Sequence, residues 1–216
     1  GLRKVANLGN ISTIPFGCFW WCGNLESIII PESVTSIEEC VFVGCSKLTD
    51  INFEGNNFIV EDGAIYSKDK TILVAFPTAK GNITIPDSIS KIIGGAFGCT
   101  LIENITLPST IKIIERDIFR DCHNLKTVEI YGEIPTIPLQ AFDNCENLES
   151  ITIPASVTEI GGAFVGCGSL ESIKVSKNNY VYKSVEGILY DKKMTSIIRF
   201  PMKHKNVAFV IPDSVM

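Results

Sequence analysis

The sequence predicts a right-handed solenoid, mostly β, in which short coils stack and one parallel sheet runs along one side. Three observations predict it. Apolar pairs of the form I-x-I begin at Val5, Ile28, Ile51, Ile83, Ile105, Val128, Ile151, Ile173 and Phe209, so nine units follow one another at separations of 22 or 23 residues, with two longer steps of 32 and 36. The other anchors of the unit recur at fixed offsets, as in residues 25–48 (LESIIIPESVTSIEECVFVGCSKL) and 148–170 (LESITIPASVTEIGGAFVGCGSL). A fixed period in this range is the signature of a chain in which each unit buries its apolar face only against its neighbours.

Each element of the unit has a physical reading. In I-x-I both aliphatic side chains point to one face of a strand and the residue between them to the other, so stacked units pair these strands in parallel. Proline follows at Pro31, Pro86, Pro108, Pro154 and Pro212; lacking an amide donor, it ends each strand at the same place along the coil. Aliphatics recur three residues on (Val34, Ile89, Ile111, Val157, Val215) and again three further (Ile37, Ile92, Ile114, Ile160), ahead of Phe, Cys and Leu or Ile. These spacings suit a corner and a return segment better than a long helix. The Gly-Gly-Ala-Phe stretches at 94–97 and 161–164 predict a short helical turn on the far, convex side, with Phe as a spacer between coils.

The longer steps are two similar insertions, at 54–80 and 176–206, each read as a β-hairpin. Asp62-Gly63 or Glu186-Gly187 supplies the turn, a short strand ends at Tyr66 or Tyr190, and a charged tip follows at 67–70 or 191–193. Leu2/Leu125, Ile28/Ile151 and Pro31/Pro154 each lie 123 residues apart, which points to duplication of a larger block. Residues 1–216 read as a single domain. The chain opens inside one unit at Leu2 and stops inside another at Val215, and is expected to be a piece of a longer protein.

Composition excludes several function classes. Nineteen basic against 24 acidic side chains leave a net charge of −5, with no electrostatic footprint for nucleic acid. No apolar run reaches the roughly 20 residues a membrane-spanning helix needs. Of eight cysteines, six (Cys22, Cys45, Cys99, Cys122, Cys145, Cys167) stand three residues before a Leu or Ile and form a ladder of one thiol per unit. Strands about 4.8 Å apart do not bring Cβ atoms to the roughly 3.8 Å a disulfide requires, so free buried thiols are expected, with Cys18 and Cys40 as the one pair to check. Cys122-His123 is the nearest approach to a metal motif, and its adjacent side chains diverge, leaving His123 a surface histidine. No nucleophile, phosphate-cradling or metal-ligand pattern is present, so no enzyme activity, metal or cofactor is expected.

What remains is surface. The outward strand residues Ser27, Asp50, Asn52, Asn82, Thr84, Asn104, Thr106, Thr127, Glu129, Ser150, Thr152, Ser172 and Lys174 form a row of mostly short polar groups, the candidate binding face. One of Trp20 and Trp21 is expected to pack against a neighbouring unit. The second insertion is locally basic (Lys183, Lys192, Lys193, Arg199, Lys203, Lys205), which would suit an acidic glycan or simply a solvated hairpin.

The pattern I-x-I-P-x-S-V-x-x-I-x-x-x-A-F-x-x-C-x-x-L resembles the BspA-type leucine-rich repeat over essentially the whole chain, and the N-x-F/Y … D-G-I/L-Y … P insertions are similar to ones seen between repeats in that family. Tyr131 and Leu8 depart from it where proline is usual, Val41 stands in place of Ala, and the repeats at Phe97 and Phe164 are one residue short. The resemblance implies a leucine-rich repeat solenoid of the α/β horseshoe type, at the cell surface or secreted, that binds a host or neighbouring-cell surface protein, extracellular matrix or glycan. The alternatives are a passive stalk and a non-catalytic segment of a surface enzyme.

Overall fold

The computed structural model of the chain describes residues 1–205 and 208–215. The first two units contribute β1 (Lys4–Val5), β2 (Thr13–Ile14), β3 (Ser27–Ile30) and β4 (Ser36–Ile37); the third contributes β5 (Asp50–Phe53), β6 (Phe58–Glu61), β7 (Ala64–Ser67) and β8 (Ile72–Ala75). The next four supply β9 (Lys80–Thr84), β10 (Lys91–Ile92), β11 (Leu101–Leu107), β12 (Ile113–Ile114), β13 (Thr127–Ile130), β14 (Thr136–Ile137), β15 (Ser150–Ile153) and β16 (Glu159–Ile160). The eighth adds β17 (Ser172–Val175), β18 (Tyr182–Val185), β19 (Ile188–Asp191) and β20 (Ile197–Arg199). Eight of the nine I-x-I segments are strands; the one at Phe209 is not, and Val207 before it lies outside the described residues.

The I-x-I strands pair in parallel and in register, Val5 beside Ile28 beside Ile51, and Ile83 beside Ile105, Val128, Ile151 and Ile173. They do not make one continuous sheet. One sheet runs β1-β3-β5 and a second runs β9-β11-β13-β15-β17, with a break at the 32-residue unit. The short return strands form a second side in three pieces, β2-β4, β6-β7-β8-β10-β12 and β14-β16.

The break has a cause in the first insertion, which is more than a hairpin on the surface. Its three strands form an antiparallel meander whose last strand, β8, occupies the return-strand place of its unit and pairs in parallel with β10. Side chains alternate along β7 and β8, so Ala64 and Leu73 enter the core of the later units while Ile65 and Val74 enter that of the earlier ones. The segment is a plug between two cores, which explains its unbroken apolar runs. After it, Phe76 takes the Phe place with a shortened turn, and the convex turns of units two and four meet directly, Cys40 N–H donating to Gly94 O at 2.8 Å.

No helix forms on the convex side among the described residues, contrary to expectation. The reason lies in the backbone. The residues two before and two after the repeat Phe hold positive φ: Gly17 and Trp21, Cys40 and Gly44, Gly95 and Cys99, Asp117 and Asp121, Gln140 and Asn144. A left-handed residue at every fourth position breaks each helical turn into β-turns. Amides then alternate between the i−3 carbonyl and the next unit: Phe119 N–H donates to Ala141 O at 2.9 Å, Arg120 N–H to Asp117 O at 3.1 Å and Asp121 N–H to Asp143 O at 2.8 Å. The convex side is thus a hydrogen-bonded ladder. Gly95 (φ +72°) shows how tight it is, since a Cβ there would stand 2.7 Å from Val43 and 2.8 Å from the Cys40 sulfur.

The repeat Phe rings stack along this ladder. Centroids of Phe97 and Phe119 are 5.5 Å apart, Phe119 and Phe142 5.4 Å, and Phe142 and Phe164 5.5 Å, with Phe19 and Phe42 forming a separate pair at 5.8 Å.

The cysteine ladder has a role that packing alone does not give it. The thiols of Cys45, Cys122, Cys145 and Cys167 donate to the carbonyls of Phe19, Phe97, Phe119 and Phe142, one stacked turn earlier, at 3.0–3.1 Å. Each is a small apolar side chain that also satisfies a buried carbonyl. Burial pushes the Cys122 and Cys167 thiols up to about 12, so they stay protonated. Cys99 is not a rung of this ladder. It sits at the left-handed position after Phe97, and Thr100 takes the rung, its hydroxyl 3.5 Å from the Cys122 sulfur. The residue missing from that repeat falls after Thr100, where β11 starts early at Leu101. All eight cysteines are free, Cys18 and Cys40 included.

Candidate binding surface

The strand face is built by the register of the two parallel sheets. Ser27 lies beside Asp50, and Asn52 is next along β5, all on the first sheet. On the second, Asn82, Asn104, Thr127, Ser150 and Ser172 fall in one row. Thr84, Thr106 and Glu129 fall in a neighbouring row, and Thr152 lies beside Lys174. All thirteen sequence-selected residues are exposed or half-buried. The structure brings ten of them together on the second sheet and leaves Ser27, Asp50 and Asn52 across the break, so the single row expected from sequence is two rows.

The rows differ in how much hydrogen-bonding capacity they leave. In the first, Asn104 Nδ2 donates to Asn82 Oδ1 at 2.7 Å and Thr127 Oγ1 donates to Asn104 Oδ1 at 2.6 Å, so these side chains link unit to unit. Asn52 likewise donates to Asp50 at 2.7 Å. In the second row, the hydroxyls of Thr84 and Thr106 hold no intramolecular side-chain hydrogen bond among the described residues.

Beside that second row stands a residue that sequence reasoning noted only as a departure from pattern. Tyr131 replaces the proline that ends neighbouring strands, and its N–H donates to Leu107 O at 3.0 Å, a bond proline would forgo. Its ring is 63% exposed, and its hydroxyl donates to Glu129 Oε2 at 3.1 Å, which holds the phenol above its usual pKa. Tyr131, Thr84, Ile85, Asp87, Thr106, Pro108 and Ser109 line an open cleft of about 380 Å³.

The second insertion closes the other end of the face. Its three strands β18, β19 and β20 form an antiparallel meander, a strand more than the hairpin read from sequence. The turn at Gly187 (φ +87°) accepts the Ile173 N–H at 2.8 Å and so caps the edge of β17. Asn179 anchors the insertion. It is buried, donates through Nδ2 to the carbonyls of Pro154 (2.8 Å) and Val157 (2.9 Å), and accepts from the amides of Val181 (2.9 Å) and Tyr182 (2.7 Å). Asn57 makes the matching bond to Val34 O at 3.0 Å in the first insertion, which is why both begin with Asn-Asn-aromatic. Much of the basic charge here is engaged: Lys192 and Arg199 donate to the carbonyls of Asn179 and Phe164, and Lys203 pairs with Glu171 at 3.3 Å.

On the convex side, Arg120 lies over the Trp20 ring at 5.8 Å and Arg116 over Phe16 at 5.4 Å. Both guanidinium groups reach the buried Asp117 carboxylate, at 3.3 and 3.0 Å. Trp20 is the packed indole and Trp21 the exposed one. Among the described residues no group of three or more His, Cys, Asp or Glu side chains is arranged to hold a metal ion, and no helix is long and apolar enough to cross a membrane.

A family model described as a BspA type Leucine rich repeat region matches residues 12–80 and 78–186, in six copies. Solved structures with the same fold include a leucine-rich repeat protein of Eubacterium ventriosum (TM-score 0.62, 21% identity, covering 94% of this chain and 61% of that one). A leucine rich cell surface protein of Faecalibacterium prausnitzii is also similar (TM-score 0.60, 22% identity, 83% and 62%), as is the pneumococcal vaccine antigen PcpA (0.58, 24%, 99% and 45%). At these identities the likeness is one of fold. The chain spans between just under half and about three-fifths of the length of these proteins. No curated protein sequence matches it.

Proposed function

The chain belongs to the BspA-type leucine-rich repeat family, and from that premise we propose that it is a binding module of a surface or secreted protein. Its sheet faces a host or neighbouring-cell surface protein, matrix component or glycan. The observation that carries this reading is the two-row polar face of the second sheet, whose strands lie in register over five units. Such a surface is extended and rigid, and offers hydroxyls and amides at a regular spacing to a partner of matching length. Two of the fold neighbours support the cellular setting through their descriptions, as a cell surface protein and a vaccine antigen. The thirteen strand-face residues are the proposed contact set, with those of the second sheet at its centre.

The combined replacement of Asn104, Thr106, Thr127 and Glu129 by alanine tests the reading. Binding to immobilised mucin or matrix glycoprotein is expected to fall at least tenfold, with the circular-dichroism spectrum unchanged. Undiminished binding by this variant contradicts a role for the strand face and leaves the repeats a spacer.

A further inference from the structure

We propose that the cleft at Tyr131 is a saccharide subsite that takes a neutral pyranose residue; this rests on the binding-module reading above and names the chemistry of one part of that face. A pyranose ring has a face of C–H groups and a rim of hydroxyls. A site that recognises it therefore needs an exposed, fixed aromatic ring for the C–H face and neutral donors and acceptors for the rim. The Tyr131 cleft has each part. The ring is exposed, and its hydroxyl bond to Glu129 Oε2 at 3.1 Å together with its own backbone bond to Leu107 O limits its rotation. Thr84 and Thr106, in register on adjacent strands, present hydroxyls with no intramolecular side-chain partner among the described residues, and Ser109 and the Asp87 carboxylate border the same space.

The same lining selects against other occupants. Among the described residues no cationic side chain lines the cleft, and Asp87 and neighbouring Glu129 carry negative charge beside it, which disfavours phosphate, sulfate and acidic sugars. It is open rather than enclosed, and Pro108 in its lining offers an extended peptide no amide donor. The neighbouring strand ends at Pro108 and Pro154 lack an aromatic ring, so this is a single subsite at one unit and not a property of every repeat.

Saturation-transfer difference NMR with cellobiose, maltose and N-acetyllactosamine tests this, using the chain and three variants. For at least one disaccharide, transfer to ring C–H protons is expected. Tyr131→Ala should abolish it. Tyr131→Phe should bind within about threefold, and Thr106→Val should weaken binding threefold to tenfold. No transfer from any of the three sugars at millimolar concentration, or transfer that survives Tyr131→Ala, overturns the subsite. Binding of the chain to mucin before and after enzymatic deglycosylation separates the two proposals. Equal binding to both forms overturns the saccharide subsite while the binding-module reading stands; binding to neither form, with no disaccharide signal, overturns both.

Discussion

Replacing Phe119 by alanine is expected to lower the unfolding free energy by about 3–5 kcal/mol, the cost of truncating a large aromatic in a closed core. Phe119 is fully buried, and it stands in the middle of the ring stack, with Phe97 on one side and Phe142 on the other at 5.5 and 5.4 Å. Its loss removes two ring contacts and the spacer between three consecutive units. The backbone around it cannot collapse into the gap, because the Phe119 N–H is held by Ala141 and its carbonyl by the Cys145 thiol. For a chain of this size that corresponds to a fall in Tm of roughly 6–20 °C. Phe19→Ala should cost less, since Phe19 stacks on Phe42 alone and is slightly exposed. Urea unfolding of the two variants side by side checks the ordering; equal effects would mean that the stack carries no cooperative stability.

The second large effect is expected at Asn179. Alanine there strands the buried Val157 carbonyl and the amides of Val181 and Tyr182, and leaves the Pro154 carbonyl only its 3.4 Å bond from the Val157 N–H. Leaving such groups unsatisfied costs about 1–3 kcal/mol each, less than additively, so a local loss of about 3 kcal/mol is the working figure. In a stack of nearest neighbours this loss stays local, opening the second insertion while the units before it hold. Hydrogen exchange at Tyr182 should accelerate roughly a hundredfold with Ile105 and Val128 unchanged. Asn57→Ala, which gives up a single bond to Val34, should show a much smaller change in the first insertion. Uniform acceleration across the chain after Asn179→Ala would contradict the local picture.

How much of this was legible in the sequence depends on the kind of information each feature carries. The I-x-I strands, their parallel register and the proline stops were legible because each rests on side-chain pattern, which repeats at a fixed period. The convex turns were not. Their geometry is set by backbone φ two residues on either side of Phe, and the residues there include Trp21, Cys40 and Gln140, which advertise nothing. Cys99 misled for a related reason: counting back three from Ile102 placed it on the ladder, whereas the residue dropped from that repeat lies after Thr100. The first insertion read as a hairpin because two strands and a turn were visible. That its third strand would replace a unit's return strand and split the sheet follows only from pairing between Ile72–Leu73 and Lys91–Ile92. On the strand face, sequence selected the outward residues correctly but gave no means of telling the linked row of Asn82, Asn104 and Thr127 from the row of Thr84 and Thr106. Tyr131 was visible as a misfit in a proline position, and the cleft beside it was not.

Units about 23 residues apart lie side by side, in parallel, and so build the strand face proposed to bind. Nuclear Overhauser contacts between backbone protons test it most directly. Strong contacts are expected to join Ile83, Ile105, Val128, Ile151 and Ile173 in sequence, each to the next. Contacts that are shifted in register, antiparallel or missing between these strands would contradict it.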